Sequence, residues 1–379
     1  MEHNEHWARA RSFAEREIAG SVASRDRGTR WDDNLFRSMG EAGLLGAGLP
    51  RTYGGRELGA LDVSHLLSGF GEGSGDAGLG LAWVAHAFGC GVPILRFGTE
   101  AQRRRYLPAL GRGDWIGAVA HAESAVQNDP IGIQTRAERR GDRWILRGKK
   151  TWVVNGVVGR LFVVTAVTNP ARQKEGVSTF LVENDAPGLR IGRRIETMGA
   201  RTATLAELTF DDCEVPAGSL LGPEGTGLTH TYRLIQRWQR ALLFAPWIGL
   251  MRSLLDQCVA HAREQIRLGR PLAHYQSIRA TLADMKIRYE LCRRLQARAA
   301  WQLDRADLCA DRDIAVARLF LARSVADATR DAAQIHGARG AEVDCLTERL
   351  YRDATVAGHL GEESDILRSV IAGSLLHLG

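Results

Sequence analysis

The first hundred residues alternate short amphipathic runs with turns, and their period is helical. Between Trp31 and Ala42 the apolar residues Leu35, Phe36 and Met39 share one face, and Gly43 ends the run. Tyr53-Gly54-Gly55 marks a loop. From Asp114 the period shortens to that of strands. Trp144-Ile145-Leu146, Thr151-Trp152-Val153-Val154, Leu161-Phe162-Val163-Val164 and Ser178-Thr179-Phe180-Leu181-Val182 are β-branched or aromatic runs separated by Gly, Asn, Asp and Pro. After Gly222-Pro223-Glu224-Gly225-Thr226-Gly227 the helical period returns in longer segments, about His230 to Arg267, Ser277 to Asp304, Asp311 to His336 and Glu363 to His377. Those lengths predict a four-helix bundle. The expected architecture is α+β in three parts: an N-terminal α-helical domain over 1–113, a middle β-barrel domain over 114–222, and the bundle over 223–379.

Composition narrows the class of protein. Of 379 residues, 45% are hydrophobic and 25% charged, which fits a chain with a sizeable core and excludes general disorder. The six cysteines are scattered, with no C-x-x-C pair and no Cys/His cluster at ligand spacing. They read as reduced thiols of a cytoplasmic protein without a metal site. The most apolar stretch, Leu79 to Phe97, is interrupted by His86, Gly89, Gly91 and Pro93, so no membrane span is expected. A formal charge of +6 suits an anionic small molecule or an acidic carrier protein as well as a nucleic acid. The densest basic run, Arg103-Arg104-Arg105, reads as a solvated helical face, and no nucleic-acid partner is expected. The glycine run Gly69 to Gly75 reads as a helix-to-helix connection, because no G-K-[ST] follows it and no strand precedes it.

Several motifs, taken in order, resemble the acyl-CoA dehydrogenase family from end to end. Tyr53-Gly54-Gly55 resembles its N-terminal loop and Glu123 to Asp129 its T-E-P-x-x-G-S-D segment. Gly148-Lys149-Lys150-Thr151-Trp152-Val153-Val154-Asn155-Gly156 resembles its G-x-K-x-W-I-T-N-G segment, and Gln334-Ile335-His336-Gly337-Ala338-Arg339-Gly340 its Q-x-x-G-x-x-G turn. Arg349 to Asp353 and Leu360 to Arg368 resemble the stretch that carries the catalytic glutamate. The resemblance implies FAD between the β domain and the bundle, an acyl thioester on CoA or on an acyl carrier protein, an electron-transfer partner or oxygen, and a homotetramer or homodimer. Val119, His121, Ala122, Asn128, Trp152, Val153 and Val154 would meet the flavin. Gln265, Tyr275, Gln276, Gln334, Gly337 and Ala338 would meet the FAD of a neighbouring subunit. Asn128, Arg237, Gln239, Arg240 and Gly361 would border the thioester.

The departures from the family pattern bear on chemistry. Gly361 stands where the catalytic glutamate is usual, and Gln239, just before Arg240, stands at the alternative position. A carboxylate base contributes roughly 10²–10⁴ in rate, so its loss at both positions matters. Glu362 is the candidate base, and His121 is a second acid/base candidate because imidazole titrates near neutral pH. Ala122 and Val154 replace hydroxyl side chains near the flavin, Gln127-Asn128-Asp129 replaces G-S-D, and Gln265 replaces an arginine near the diphosphate. Three readings follow: an α,β-dehydrogenating flavoenzyme on a small or polar acyl thioester, a flavin-dependent monooxygenase on the same fold, and a non-catalytic member.

Overall fold

Side-chain caps start several helices of the first third. In the computed structural model, which describes residues 5–124, 132–305, 310–360 and 364–377, Asp32 caps the helix Asp33–Glu41 by accepting from the Asn34 and Leu35 amides, and Phe36 and Met39 turn into the core. Thr99 and Gln102 form a reciprocal capping box that opens Glu100–Gly111. On that helix Arg104 pairs with Glu100 and Arg105 with Glu183, so the basic run is a surface face, as expected.

The glycine run behaves differently from the sequence expectation of a connection. Gly69, Gly71 and Gly73 lie inside the helix Ala60–Ser74, which ends at Gly75 with φ +65°. A Cβ on Gly69 would stand 2.2 Å from the Trp7 carbonyl oxygen, one on Gly71 1.9 Å from that of Pro246, and one on Gly73 2.3 Å from that of Arg11. The absent side chains let this helix touch Glu5–Glu17 and Ala245–Glu264 backbone to side, and close approach offsets the propensity cost of glycine in a helix.

The next 21 residues, Ala77–Phe97, form one continuous helical run with a π-helical turn over Ala85–Gly91. Among the described residues it is the one helix apolar and long enough to cross a bilayer, and most of it is buried inside the protein. Trp83, Val84, Phe88, Cys90 and Ile94 are all in the core. It is a core helix.

Among the described residues the middle domain has seven strands: β1 (Gly117–Ala120), β2 (Arg136–Arg140), β3 (Arg143–Val154), β4 (Leu161–Val167), β5 (Val177–Glu183), β6 (Leu189–Arg194) and β7 (Leu205–Pro216). They are ordered β1-β4-β2-β3-β7-β6, with β5 on β4. β1 runs parallel to β4, and β4 pairs antiparallel with β5 from Leu161↔Glu183 to Val167↔Val177. Trp144, Phe162, Phe180 and Phe210 fill the core of this sheet. The register of β3 on β7 shifts between Lys150 and Val153, and Trp152 sits in that bulge with φ +54°.

The expected order of helical, β and helical parts is present. The long segment expected from His230 is interrupted: a π-helical turn, Gly227–Tyr232, leads into Arg233–Leu242, and Ala245–Glu264 follows with Pro246 in its first turn. Gln276–Arg305 and Ala310–His336 match the next two segments, Leu346–His359 is an additional helix, and Ser364–Leu375 is the last described helix.

Candidate active site

The site is assembled from a buried ion pair outward. Lys150, on β3, has its ammonium out of solvent and donates to the Glu123 carboxylate at 2.7 Å and the His121 carbonyl at 3.0 Å. Glu123 also accepts from the Gln134 amide (2.8 Å), the Thr135 amide (3.1 Å) and the Thr135 hydroxyl (2.6 Å). Burial lowers the Lys150 pKa to about 8 against the pull of Glu123. Burial pushes the Glu123 carboxyl up, but Lys150 and the three donors outweigh it and hold it below its ordinary value. Between these anchors the Ala122 carbonyl accepts from the Thr151 amide at 2.9 Å. Ala122 is thereby fixed beside the bulge at Trp152, and both residues are exposed.

Trp152 is 51% exposed, which removes it from the β-domain core and leaves a bare indole beside Ala122. Val153 is buried, while Val154 packs with Leu81, Ile195, Ala203, Leu205 and Leu360. His121 turns away from acid/base exposure: its ring stacks on Tyr232 with centroids 3.6 Å apart, and Nδ1 lies 2.8 Å from the Thr165 hydroxyl. Burial, then the Lys150 charge, holds its pKa well below the ordinary value, so the imidazole is neutral.

A second wall comes from the helices. A Cβ on Gly89 would stand 3.0 Å from Val119 Cγ1 and 3.5 Å from Gln239 Nε2, which places Gln239 against β1. Trp238 stacks on Phe88 at 5.4 Å. Arg237 is engaged by Asp311 at 3.2 Å, and Arg240 is half-buried on the same helix. A small apolar cavity opens nearby, lined by Leu81, Ala200, Leu243, Trp247, Ala357 and Leu360 among others. The Leu360 carbonyl accepts from the buried Arg318 guanidinium at 2.7 Å, which fixes the chain immediately before position 361. Asn128, Gly361 and Glu362 lie outside the described residues.

The remaining expected cofactor residues sit elsewhere, at one end of the bundle. Gln265 precedes a two-stranded hairpin whose turn, Leu268-Gly269, has φ +49° and +78°, the geometry of a tight hairpin turn. Tyr275 donates to the Arg267 carbonyl at 2.7 Å. Gln276, Gln334, Gly337 and Ala338 are exposed, and His261, on the helix that leads into the hairpin, lies against His336, just before the glycine turn, with ring centroids 4.6 Å apart.

Sequence reasoning read Lys150 and Glu123 as motif letters and missed their pairing. It also missed Leu81, Leu243 and Trp247, whose only signal was membership of apolar helical faces.

Comparison with known proteins agrees with this geometry. Family models for the acyl-CoA dehydrogenase N-terminal domain, middle domain and C-terminal domain match residues 1–114, 118–213 and 226–376. An L-prolyl-[peptidyl-carrier protein] dehydrogenase of Pseudomonas fluorescens is 35% identical over 89% of this chain and 88% of its own. The crystal structure of the prolyl acyl carrier protein oxidase AnaB superposes with a TM-score of 0.94 at 34% identity, covering 98% of both chains. PigA, in a complex with FAD and proline, superposes at 0.95 and 28% identity over the whole of both chains. A bare indole beside an exposed, hydrogen-bonded backbone loop fits a flat isoalloxazine ring. With all three domains matched in order, the chain belongs to the FAD-dependent acyl-CoA dehydrogenase family.

Proposed function

We propose that the protein oxidises a small acyl group held as a thioester on a carrier protein or on CoA, removing hydrogens from the α and β carbons. The observation that carries this reading is the small cavity lined by Leu81, Ala200, Leu243, Trp247 and Leu360, of which Leu81 and Leu360 also pack in one cluster with Val154. Its walls are apolar, with Leu243 and Trp247 among them, and it is small. The carrier-protein alternative draws support from the two relatives whose names specify a prolyl carrier protein. When bound, FAD supplies the hydride acceptor. The chain's own residues shape the rest: Ala122 and Trp152 seat the ring, Gln239 and Arg240 border the thioester, and Leu243 and Trp247 exclude water from the acyl group.

Glu362 is the base in this reading, since Gly361 and Gln239 carry no carboxylate. A neutral, stacked His121 shapes the loop. The exposed hairpin and glycine turn would complete the FAD site of another copy in a homotetramer or homodimer, and an electron-transfer partner or oxygen would reoxidise the flavin. The lack of a carboxylate at both usual positions also favours a second reading, oxygen transfer by reduced flavin, in which no α-proton is removed.

Anaerobic addition of short acyl thioesters, prolyl-carrier protein among them, tests the proposal. Bleaching of the flavin band by one of them, with α-proton exchange abolished in Glu362→Gln, is the expected result. No bleaching by any thioester, with labelled oxygen entering a product, would replace the first reading by the second.

A further inference from the structure

The cavity wall at Ala200 is held by a device on another domain. Ala200 has φ +53°, a conformation that a residue with a Cβ keeps only when its surroundings enforce it. Its amide donates to Asp353 Oδ1 at 2.6 Å, from a helix 153 residues further along the chain. Arg352 donates to the Met198 carbonyl at 2.9 Å, and a Cβ on Gly199 would stand 2.3 Å from the Arg352 carbonyl carbon. On the other side Thr202 donates to Asp76 at 2.5 Å. The turn 198–202 is thus clamped between the helices Ala77–Val84 and Leu346–His359, and its central residue faces the cavity.

We propose that Asp353 is a positioning residue that sets the acyl wall of the site through the Ala200 amide. The inference rests on the reading of the cavity as the acyl site. Asp353 is buried, and its charged neighbours are Asp26, Asp76 and Arg349. Arg25 neutralises Asp76, while Arg352 is shared between Asp26 and Glu348. Burial first, and then Asp26 and Asp76, raise the Asp353 pKa to about 7 despite the Ala200 amide and Arg349. Ionisation strengthens the bond accepted from the Ala200 amide, because a carboxylate is the better acceptor, and its cost falls on the cluster, where it adds a third carboxylate.

Two readouts test the proposal. The first, hydrogen exchange of residues 197–203 in the FAD-loaded enzyme, does not depend on turnover. Protection of the Ala200 amide falls about tenfold in Asp353→Leu, which has no acceptor, and stays within about twofold of native in Asp353→Asn, which keeps one. The second is the KM for the acyl thioester at fixed pH: Asp353→Leu raises it about tenfold with kcat nearly unchanged, and Asp353→Asn leaves it within about twofold. If Asp353→Leu leaves the protection of the Ala200 amide and the KM at their native values, or if Asp353→Asn, which keeps the acceptor, moves either beyond about twofold, the proposal is overturned. A protein that oxidises no thioester would remove the acyl reading, and the exchange experiment would still decide the clamp.

Discussion

Lys150 and Glu123 form an ion pair at 2.7 Å with side-chain exposures of 0% and 6%, directly beneath the backbone that presents Ala122. Removing one partner of such a pair strands the other charge in a dry site, at a cost of about 3–5 kcal/mol. Lys150→Met is expected to lower the thermal midpoint and to release FAD on gel filtration. Adding Glu123→Gln to that variant restores part of the loss, because the stranded carboxylate is gone. A double-mutant cycle read by urea unfolding checks the expectation.

Gly89 and Gly91 are neighbours on one π-turn, yet their surroundings differ. A side chain at 89 meets Val119 and Gln239, whereas the nearest atom to a Cβ at 91 is the His86 carbonyl oxygen at 3.8 Å. Gly89→Leu is expected to cost about 1–3 kcal/mol through overpacking and to reduce FAD occupancy, measured by the ratio of visible to ultraviolet absorbance. Gly91→Ala, the control, leaves occupancy unchanged.

His86 ties the π-turn to the β domain. Its Nδ1 accepts from the Gly117 amide at 2.9 Å, which leaves Nε2 protonated to donate to the Leu110 carbonyl at 3.1 Å. Burial lowers its pKa to about 4. Because the folded value lies below the unfolded 6.5, the stability that this group supplies is complete above pH 6.5 and is lost as pH falls through 4, to the extent of about 3 kcal/mol. Asp353 acts in the opposite sense: its folded value lies above the unfolded 3.8, so its contribution is complete below pH 3.8 and fades as pH rises through about 7. The two slopes oppose each other between pH 4 and 6.5. Urea midpoints across that range are therefore expected to fall more steeply with acid in Asp353→Asn than in the native protein.

Trp152 is exposed and strained, so its replacement separates cofactor binding from folding. Trp152→Ala is expected to change apo-protein stability by less than about 1 kcal/mol, since little packing is lost. The same change weakens FAD binding about tenfold through loss of ring stacking. Fluorescence titration of the apo-protein with FAD, beside its melting curve, measures both.

How much of this was legible in the sequence depended on whether the signal was local. The helices Gln276–Arg305 and Ala310–His336 were readable because long periodic runs declare their own buried face. β1 was not, since Gly117-Ala118-Val119-Ala120 is short and small and becomes a strand only through parallel pairing with β4. β2 was hidden because Arg136–Arg140 buries a single alanine. The exposed Trp152 could be anticipated from its motif. The bond from Ala200 to Asp353 could not, because nothing near either residue records a partner 153 positions away.

The apolar run Ala77–Phe97 carries a consequence for synthesis. It leaves the ribosome before Arg233–Leu242 and Ala245–Glu264, two of the helices that later pack over it, have been translated. For that interval the nascent chain displays a rod as long and as greasy as a bilayer anchor, with only the earlier helices to shelter it. Holdase chaperones therefore have a defined client segment here, and a transcript truncated ahead of residue 233 yields a product whose most hydrophobic helix never acquires its full cover.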